Sequence, residues 1–362
     1  MRILLAGGGT GGHLFPLIAV AEALRRKDPQ IALLLCGRRN SLEQQEADRA
    51  KIRFLPLFRQ SNRRDNALQM AISLLLAALG VCQCLYRLFR LRPDWVVGSG
   101  GYISLPMIAA AKLLGQPYVL LEQNRIPGKV TRSFARSAQA VFLTFPAPAG
   151  SLVSQRTILV GNPVRQNLFV ARSEAREFLG LAPSALLLVL AGGSQGARSL
   201  NEFAVSGLPR LLERIPQLEV FWVAGSKHAS VYRERLPLHE RLQLVDFTTE
   251  APIWVAAADL FVGRSSAGFL SEALVAGVPS ILVPYPHAAD DHQMANARFL
   301  EEAGAAIVVT ENALATLEAT IVVLFQNPQR LEEMRRATAA LARPRAASEV
   351  AGWLLGRARA TR

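Results

Sequence analysis

The chain has 362 residues, 51% of them hydrophobic and 19% charged, and a formal net charge of +13. That length admits two domains with full cores, and the composition excludes a disordered or fibrous chain. The basic excess calls for an anionic counterpart, and nucleic acid, a lipid headgroup surface and a phosphorylated substrate are all candidates.

The three cysteines, Cys36, Cys82 and Cys84, lie in apolar settings without metal-type or disulfide spacing, which fits a reducing cytoplasm. The apolar run after Met1 breaks at glycines after four residues, too short for a signal peptide. Residues 2–6 read as a buried strand, and Leu14, Leu17, Ile18, Ala21 and Leu24 recur at helical spacing. Between them Gly7-Gly-Gly-Thr-Gly-Gly12 supplies five glycines and a threonine. Glycine accepts positive φ and lets backbone approach a bound group, and the helix N-terminus behind it is a seat for an anion. A bare turn is the alternative. The spacing departs from the dinucleotide fingerprint, and the next strand, Ile31–Cys36, has no acid at its tip, so a nicotinamide enzyme is disfavoured.

A helix near 41–50, a short strand at 53–57 and an arginine-bearing linker at 59–65 follow. Residues 66–86 carry no charge, which at roughly 20 residues meets the length of a membrane span. However, Gln69, Ser73, Gly80, Gln83, Arg87 and Arg90 form a narrow polar stripe, and a span would have to leave and rejoin a sheet. A buried helix and a helix presenting an apolar face to a bilayer remain. Arginines at both ends (Arg59, Arg63, Arg64; Arg87, Arg90, Arg92) favour contact of 66–90 with an anionic membrane surface.

A strand at 94–97 runs into a second glycine loop, Gly98-Ser-Gly-Gly101, and a helix through Leu114. The strand Pro117–Leu121 ends in Glu122-Gln-Asn124, and strands near 140–143 and 157–160 complete this half. Gly161-Asn-Pro-Val-Arg165 reads as a hinge. The pattern then restarts: strand 186–191, Gly192-Gly-Ser-Gln-Gly196, a helix from Arg198, and strands at 218–223, 241–245, 259–263 and 279–283. A long polar loop, 284–293, leads into a helix to Ala303, and the remainder reads as helical. Alternating strands and helices predict parallel sheets covered by helices, in two similar α/β domains. The expected division is 1–162 and 163–344, with a last helix at 346–359 packing back on the first domain.

Ser194 offers a hydroxyl at the second anion seat. Arg165 could grip a diphosphate or form an interdomain ion pair. Glu272 could accept hydrogen bonds from ribose hydroxyls or complement a helix dipole. Gln293 could bond a sugar or cap a helix. His13 is a candidate general base, because imidazole titrates near neutrality. His287, Asp290, Asp291 and His292 are close in sequence, but a polar loop is the preferred reading and no metal or other cofactor is expected.

Gly8-Gly-Thr-Gly-Gly-His13 with Pro16, Glu122-Gln-Asn124, Gly161-Asn-Pro-Val-Arg165, Gly192-Gly-Ser-Gln-Gly-Ala-Arg198 and His292-Gln293 occur in this order. Together they closely resemble the MurG family, the bacterial UDP-N-acetylglucosamine–N-acetylmuramyl-(pentapeptide) pyrophosphoryl-undecaprenol N-acetylglucosamine transferases of glycosyltransferase family 28. The resemblance implies a GT-B fold, two Rossmann-like domains facing across a cleft. It also implies an inverting, metal-independent transfer of N-acetylglucosamine from UDP-GlcNAc to the C4 hydroxyl of the muramyl sugar of lipid I. Ser194 and Arg165 would hold the donor diphosphate, the Phe247 backbone the uracil, and Glu272 the ribose. Asn124, Ala267 and Gln293 would hold the N-acetylglucosamine, within a donor stretch that also takes in Gly268, Phe269, Leu270 and Ser271. Thr10, Gly11 and Gly12 would face the reacting centre and the acceptor diphosphate, with His13 as base and Glu122 as second choice.

Ser266 and Phe269 stand where the family has glycine and threonine, and Leu121 where a histidine often precedes Glu-Gln-Asn. The expected setting is peripheral, on the cytoplasmic face of the bacterial inner membrane. An epimerase or a glycolipid glycosyltransferase of the same fold is the alternative. A nucleic-acid-binding protein is disfavoured, because aromatics are sparse among the basic clusters.

Overall fold

Strand and helix alternate through the computed structural model, which describes residues 1–58, 67–165, 169–193, 196–226, 229–236, 239–246, 248 and 250–360. The chain divides into two compact units, Met1–Arg165 with Arg343–Arg362, and Gln166–Ala342. Each holds one sheet whose strand pairs are all parallel.

In the first unit the strands are β1 (Arg2–Ala6), β2 (Ala32–Gly37), β3 (Arg53–Pro56), β4 (Trp95–Gly98), β5 (Tyr118–Glu122), β6 (Ala140–Leu143) and β7 (Thr157–Leu159). They lie in the order β3-β2-β1-β4-β5-β6-β7. The inner strands are apolar on both faces, as a sheet covered on both sides requires: Ile3, Leu4, Leu5, Val96, Val97, Val119 and Leu120 are all fully buried. Strand order reverses between β1 and β4, and at such a point the loops leaving the carboxyl ends of the two strands part and open a crevice. The helices are α1 (Gly11–Lys27), α2 (Leu42–Arg49), α3 (Ala67–Leu91), α4 (Gly101–Leu113) and α5 (Lys129–Phe134).

The second unit repeats the plan. Its strands β8 (Leu186–Ala191), β9 (Leu218–Val223), β10 (Leu242–Val245), β11 (Leu260–Gly263), β12 (Ser280–Leu282) and β13 (Ala306–Val308) run in the order β10-β9-β8-β11-β12-β13, reversing between β8 and β11. Its helices are α6 (Arg172–Phe178), α7 (Arg198–Arg214), α8 (Ala229–Glu234), α9 (Ala251–Ala257), α10 (Ala267–Ala276), α11 (His292–Glu302), α12 (Leu317–Phe325) and α13 (Pro328–Leu341). Strand β13 corrects the expectation of an all-helical end. Three residues after a positive-φ Gly304 are too few to display a period, and it is pairing with β12 that makes them a strand.

The last helix, α14 (Ala346–Ala360), belongs to the first unit. Its Ala346, Ala347, Val350, Ala351 and Leu354 join the core between α1 and the sheet. The Trp353 ring lies 5.4 Å from Trp95 and 5.5 Å, edge-on, from Phe142.

Two members of the polar stripe of helix α3 turn inward: Gln83 Oε1 accepts the Phe58 N–H at 2.9 Å, and Arg87 donates to the Pro56 carbonyl at 2.5 Å, whereas Arg90 is exposed. These side chains satisfy the backbone leaving edge strand β3. Cys84 and Leu88 enter the core, whereas Met70, Ile72, Leu75, Leu79, Tyr86 and Phe89 are exposed. Among the described residues no helix is long and apolar enough to cross a membrane.

Candidate functional site

At the β1–β4 reversal of the first unit, the loop from β1 crosses Gly8 at φ 144° and Gly9 at φ 88° before α1 begins after Thr10. Thr10 makes no side-chain cap, and its carbonyl accepts from His13 N and Leu14 N. The first-turn N–H groups of Gly11 and Gly12 have no partner within an α-helix, as at any helix start.

His13, half-buried in that first turn, has Nδ1 2.8 Å from the Ser99 carbonyl and 2.9 Å from Gln123 Oε1. A carbonyl can only accept. The Gln123 amide is oriented by its own Nε2 donating to the Leu121 carbonyl at 3.0 Å, which leaves Oε1 toward the ring. Both contacts therefore place the imidazole proton on Nδ1 and the basic lone pair on Nε2. Ser99 Oγ donates back to the His13 carbonyl at 2.6 Å, locking the β4 loop to the helix start.

Glu122 is buried, and both its oxygens hold backbone. Its two oxygens accept the N–H groups of Asn124 and Gly128, each at 3.0 Å, and so hold the loop between β5 and α5. Asn124 is half-buried in that same loop.

Arg165 is seated within the first unit, its guanidinium 4.4 Å from the Phe15 ring centroid and Nη1 3.8 Å from Glu46 Oε2. Phe15 in turn fills the space that a Cβ at Gly11 would need. Burial pushes the nearby Glu22 carboxyl above its ordinary value, against the charges of Arg165 and Arg26.

The corresponding edge of the second unit lies at the β8–β11 reversal. A cavity of about 630 Å³ there is lined by Gly192, Gly196, Ala197, Arg198, Ser199, Glu202, Arg264, Tyr285, Gln293 and Glu311. Gly196, at φ 75°, passes so close to the Ala224 carbonyl that no Cβ fits. Behind it Asn201 donates to that carbonyl at 2.9 Å and accepts from Trp222 Nε1 at 3.0 Å, tying the start of α7 to β9.

Arg264 is buried, and its guanidinium is spent inside the unit. It donates to the carbonyls of Val283 and Pro284 (3.1 and 3.2 Å), to Ser199 Oγ (3.2 Å) and to Glu311 Oε1 (2.5 Å). Burial works to raise the Glu311 carboxyl, but hydrogen bonds from Ser199 and Arg264 and the charges of Arg264 and His287 outweigh it and hold the group below its ordinary value.

Of the donor stretch expected from sequence, Ala267, Gly268 and Phe269 form the first turn of α10, where backbone N–H groups point out of the helix. The Leu270 side chain is in the core, and Ser271 donates its hydroxyl to the Ala267 carbonyl. Any contact from these two falls to backbone. Phe269 stacks on Phe261 with centroids 5.3 Å apart, so apolar packing replaces a hydroxyl at that position. Glu272 is half-buried on the same helix. Gln293 Oε1 accepts the Tyr285 N–H at 3.0 Å, closing the 285–293 loop. Ser194 and Phe247 lie outside the described residues, as do Arg59, Arg63, Arg64 and Asn66. Among the described residues no group of three or more His, Cys, Asp or Glu could hold a metal ion.

Residues 3–143 match the glycosyltransferase family 28 N-terminal domain, and residues 187–350 match the family 28 C-terminal domain. The chain belongs to glycosyltransferase family 28. Its relatives in the family include the UDP-N-acetylglucosamine–N-acetylmuramyl-(pentapeptide) pyrophosphoryl-undecaprenol N-acetylglucosamine transferase of Symbiobacterium thermophilum, 37% identical over 100% of this chain and 98% of that one. The enzyme of that name from Moorella thermoacetica is 36% identical over 95% of each chain. Among solved structures, Acinetobacter baumannii MurG matches with a TM-score of 0.76 and 27% identity, covering 98% of this chain and 99% of that one. A UDP-GlcNAc 2-epimerase from Neisseria meningitidis shares the fold alone, with a TM-score of 0.68 and 14% identity over 98% of this chain and 100% of that one. The two Rossmann-like units are thus those of a GT-B glycosyltransferase of family 28.

Sequence reasoning found the glycine loops and His13 but missed Gln123, Asn201 and the Arg264–Glu311 pair. Gln123 lies inside Glu122-Gln-Asn124 and Arg264 just before the donor stretch, yet neither position reveals its partner. Asn201 and Glu311 belong to no local pattern.

Proposed function

We propose that this protein transfers N-acetylglucosamine from UDP-GlcNAc to the C4 hydroxyl of the muramyl sugar in undecaprenyl-pyrophosphoryl-MurNAc-pentapeptide, converting lipid I to lipid II. The observation that carries the mechanism is His13, with Nδ1–H committed to Ser99 and Gln123 and Nε2 left as the base. The C4 oxygen attacks C1 of the donor sugar, and its proton passes to Nε2. The bond from C1 to the diphosphate oxygen breaks on the opposite face, inverting the anomeric centre, and UDP leaves with the electron pair. Glu122 recedes as an alternative base, since both its oxygens already hold backbone amides.

The first glycine loop, with Thr10, Gly11 and Gly12, is read as serving the acceptor diphosphate, and Asn124 as meeting the donor sugar. The Gly192–Gly196 loop with Ser194, together with Arg165, would stabilise the departing diphosphate. Phe247 is assigned the uracil, Glu272 the ribose, and the first turn of α10 and the Gln293 amide the N-acetylglucosamine. The reaction as read asks for no metal or other cofactor.

The enzyme is read as peripheral on the cytoplasmic face of the inner membrane. The exposed apolar face of α3 supports this, as does the basic charge, in which Arg90 and Arg92 are exposed whereas Arg87 is occupied by Pro56. The deciding assay is UDP release from UDP-GlcNAc with and without a lipid I analogue. Acceptor-dependent release with a disaccharide product is expected. Epimerised donor sugar, or turnover indifferent to acceptor, would overturn the reading.

A further inference from the structure

Behind the first glycine loop lies a buried carboxylate that belongs to none of the sequence motifs. Glu43, in the first turn of α2, is only 1% exposed. Its Oε1 accepts the Gly9 N–H at 2.5 Å, and Arg38 Nη2 stands 4.0 Å from the same oxygen. Its Oε2 is buried without a hydrogen-bond partner among the described residues. A carboxylate so placed is costly to bury, and an apolar side chain of similar size would be cheaper if filling space were its purpose. The surrounding backbone is shaped to admit it. A Cβ at Gly8, just after β1, or at Gly37, the last residue of β2, would collide with the Glu43 side chain. Two glycines from different strand ends thus form the cradle, and a third, Gly9, donates to what lies in it at a positive φ that other residues rarely adopt.

We propose that Glu43 is a positioning residue for acceptor binding. It fixes the Gly8–Gly9 backbone so that the N–H groups of Thr10, Gly11 and Gly12 converge on the diphosphate of the lipid acceptor. Because Gly9 N–H is bound from behind, that amide is withdrawn from the anion seat, which then starts at Thr10. The clamp also sets where α1 begins, and with it the height of His13 above the loop. This inference rests on the reading that the first glycine loop serves the acceptor.

The test compares Glu43→Ala, Glu43→Gln and Gly37→Ala in the full chain, with kcat and KM measured separately for UDP-GlcNAc and for a lipid I analogue. Loss of a charge-assisted hydrogen bond to a buried amide corresponds to about tenfold or more. Glu43→Ala should raise the acceptor KM by about that factor and leave the donor KM within about twofold. Glu43→Gln, whose amide oxygen can accept the same N–H, should restore most of the acceptor affinity. Gly37→Ala adds a methyl that displaces the carboxylate without removing it, and should reproduce the acceptor defect even if Glu43→Ala fails to fold. Equal rises in both KM values, or unchanged values in variants with the parental Tm, would overturn the proposal. A parent enzyme that transfers nothing to the lipid acceptor would instead overturn the function proposed above.

Discussion

Replacing Leu75, Leu79 and Phe89 together by serine should detach the protein from lipid while leaving its fold intact. The three side chains are 61%, 46% and 63% exposed, so about half or more of each faces solvent and is open to a bilayer. Burying such a side chain completely is worth about 1.5–3 kcal/mol, and roughly half to two-thirds of that remains available at each position. The sum is roughly 2.5–5 kcal/mol, or about two to nearly four powers of ten in a partition coefficient. The assay is sedimentation with sucrose-loaded vesicles containing anionic lipid, at low and at physiological salt. Parent protein should bind more tightly at low salt, because its basic charge adds to the apolar contact. The triple variant should lose partitioning at both salts, with circular dichroism that still shows the folded protein at the assay temperature. Partitioning within about twofold of the parent would refute the reasoning, since no other role for that face would have been removed.

Further outcomes concern the site and the frame that carries it. His13→Gln should lower kcat about 10²–10⁴-fold in single-turnover assays with little change in donor affinity, as expected on losing a general base; a normal rate would eliminate His13 from that role. Asp259, only 9% exposed, accepts from Arg172, from Arg176 at 3.2 Å and from the Leu187 N–H at 2.9 Å. Asp259→Ala removes the acceptor of the buried Leu187 N–H and the counter-charge of Arg176, which keeps its backbone carbonyls, and urea unfolding should show a loss of about 1–3 kcal/mol. Glu311 contributes through a lowered carboxyl value, so its stabilisation is complete above the ordinary value of 4.5 and is lost as the pH falls through the lower folded-state value. Glu311→Gln should therefore flatten the pH dependence of unfolding between 4.5 and that lower value, and an unchanged slope there would contradict the assignment.

Much of the fold is legible in the residue pattern, because a sheet covered on both faces needs continuous apolar strands and the glycine loops mark where those strands end. The boundaries of β6, β8 and β9 coincide with the apolar runs that suggested them. Periodicity resolves faces, not the directions in which they point. In the polar stripe of α3, Gln83 and Arg87 turn toward the backbone of residues 56–58, because an edge strand leaving the sheet needs hydrogen bonds more than these two side chains need water. His13 was legible as a candidate, but its tautomer was not, since that depends on Ser99 and Gln123, 86 and 110 residues away. Arg264 illustrates the same gap. In the sequence it is one more arginine beside a donor loop, and only folding reveals that Glu311, 47 residues on, has already claimed it.

Helix α14 has a consequence for how the protein is made. The unit synthesised first cannot close its core until residues 346–360 arrive, because Val350, Ala351 and Leu354 join that core and Trp353 packs against the Trp95 and Phe142 rings. Throughout translation of Gln166–Ala342 the nascent first unit carries an open apolar groove beside a complete parallel sheet. Chaperone occupancy during synthesis should concentrate on that groove, and a stop codon placed just before Ala346 should yield an aggregating product although every residue of both glycine loops has been made.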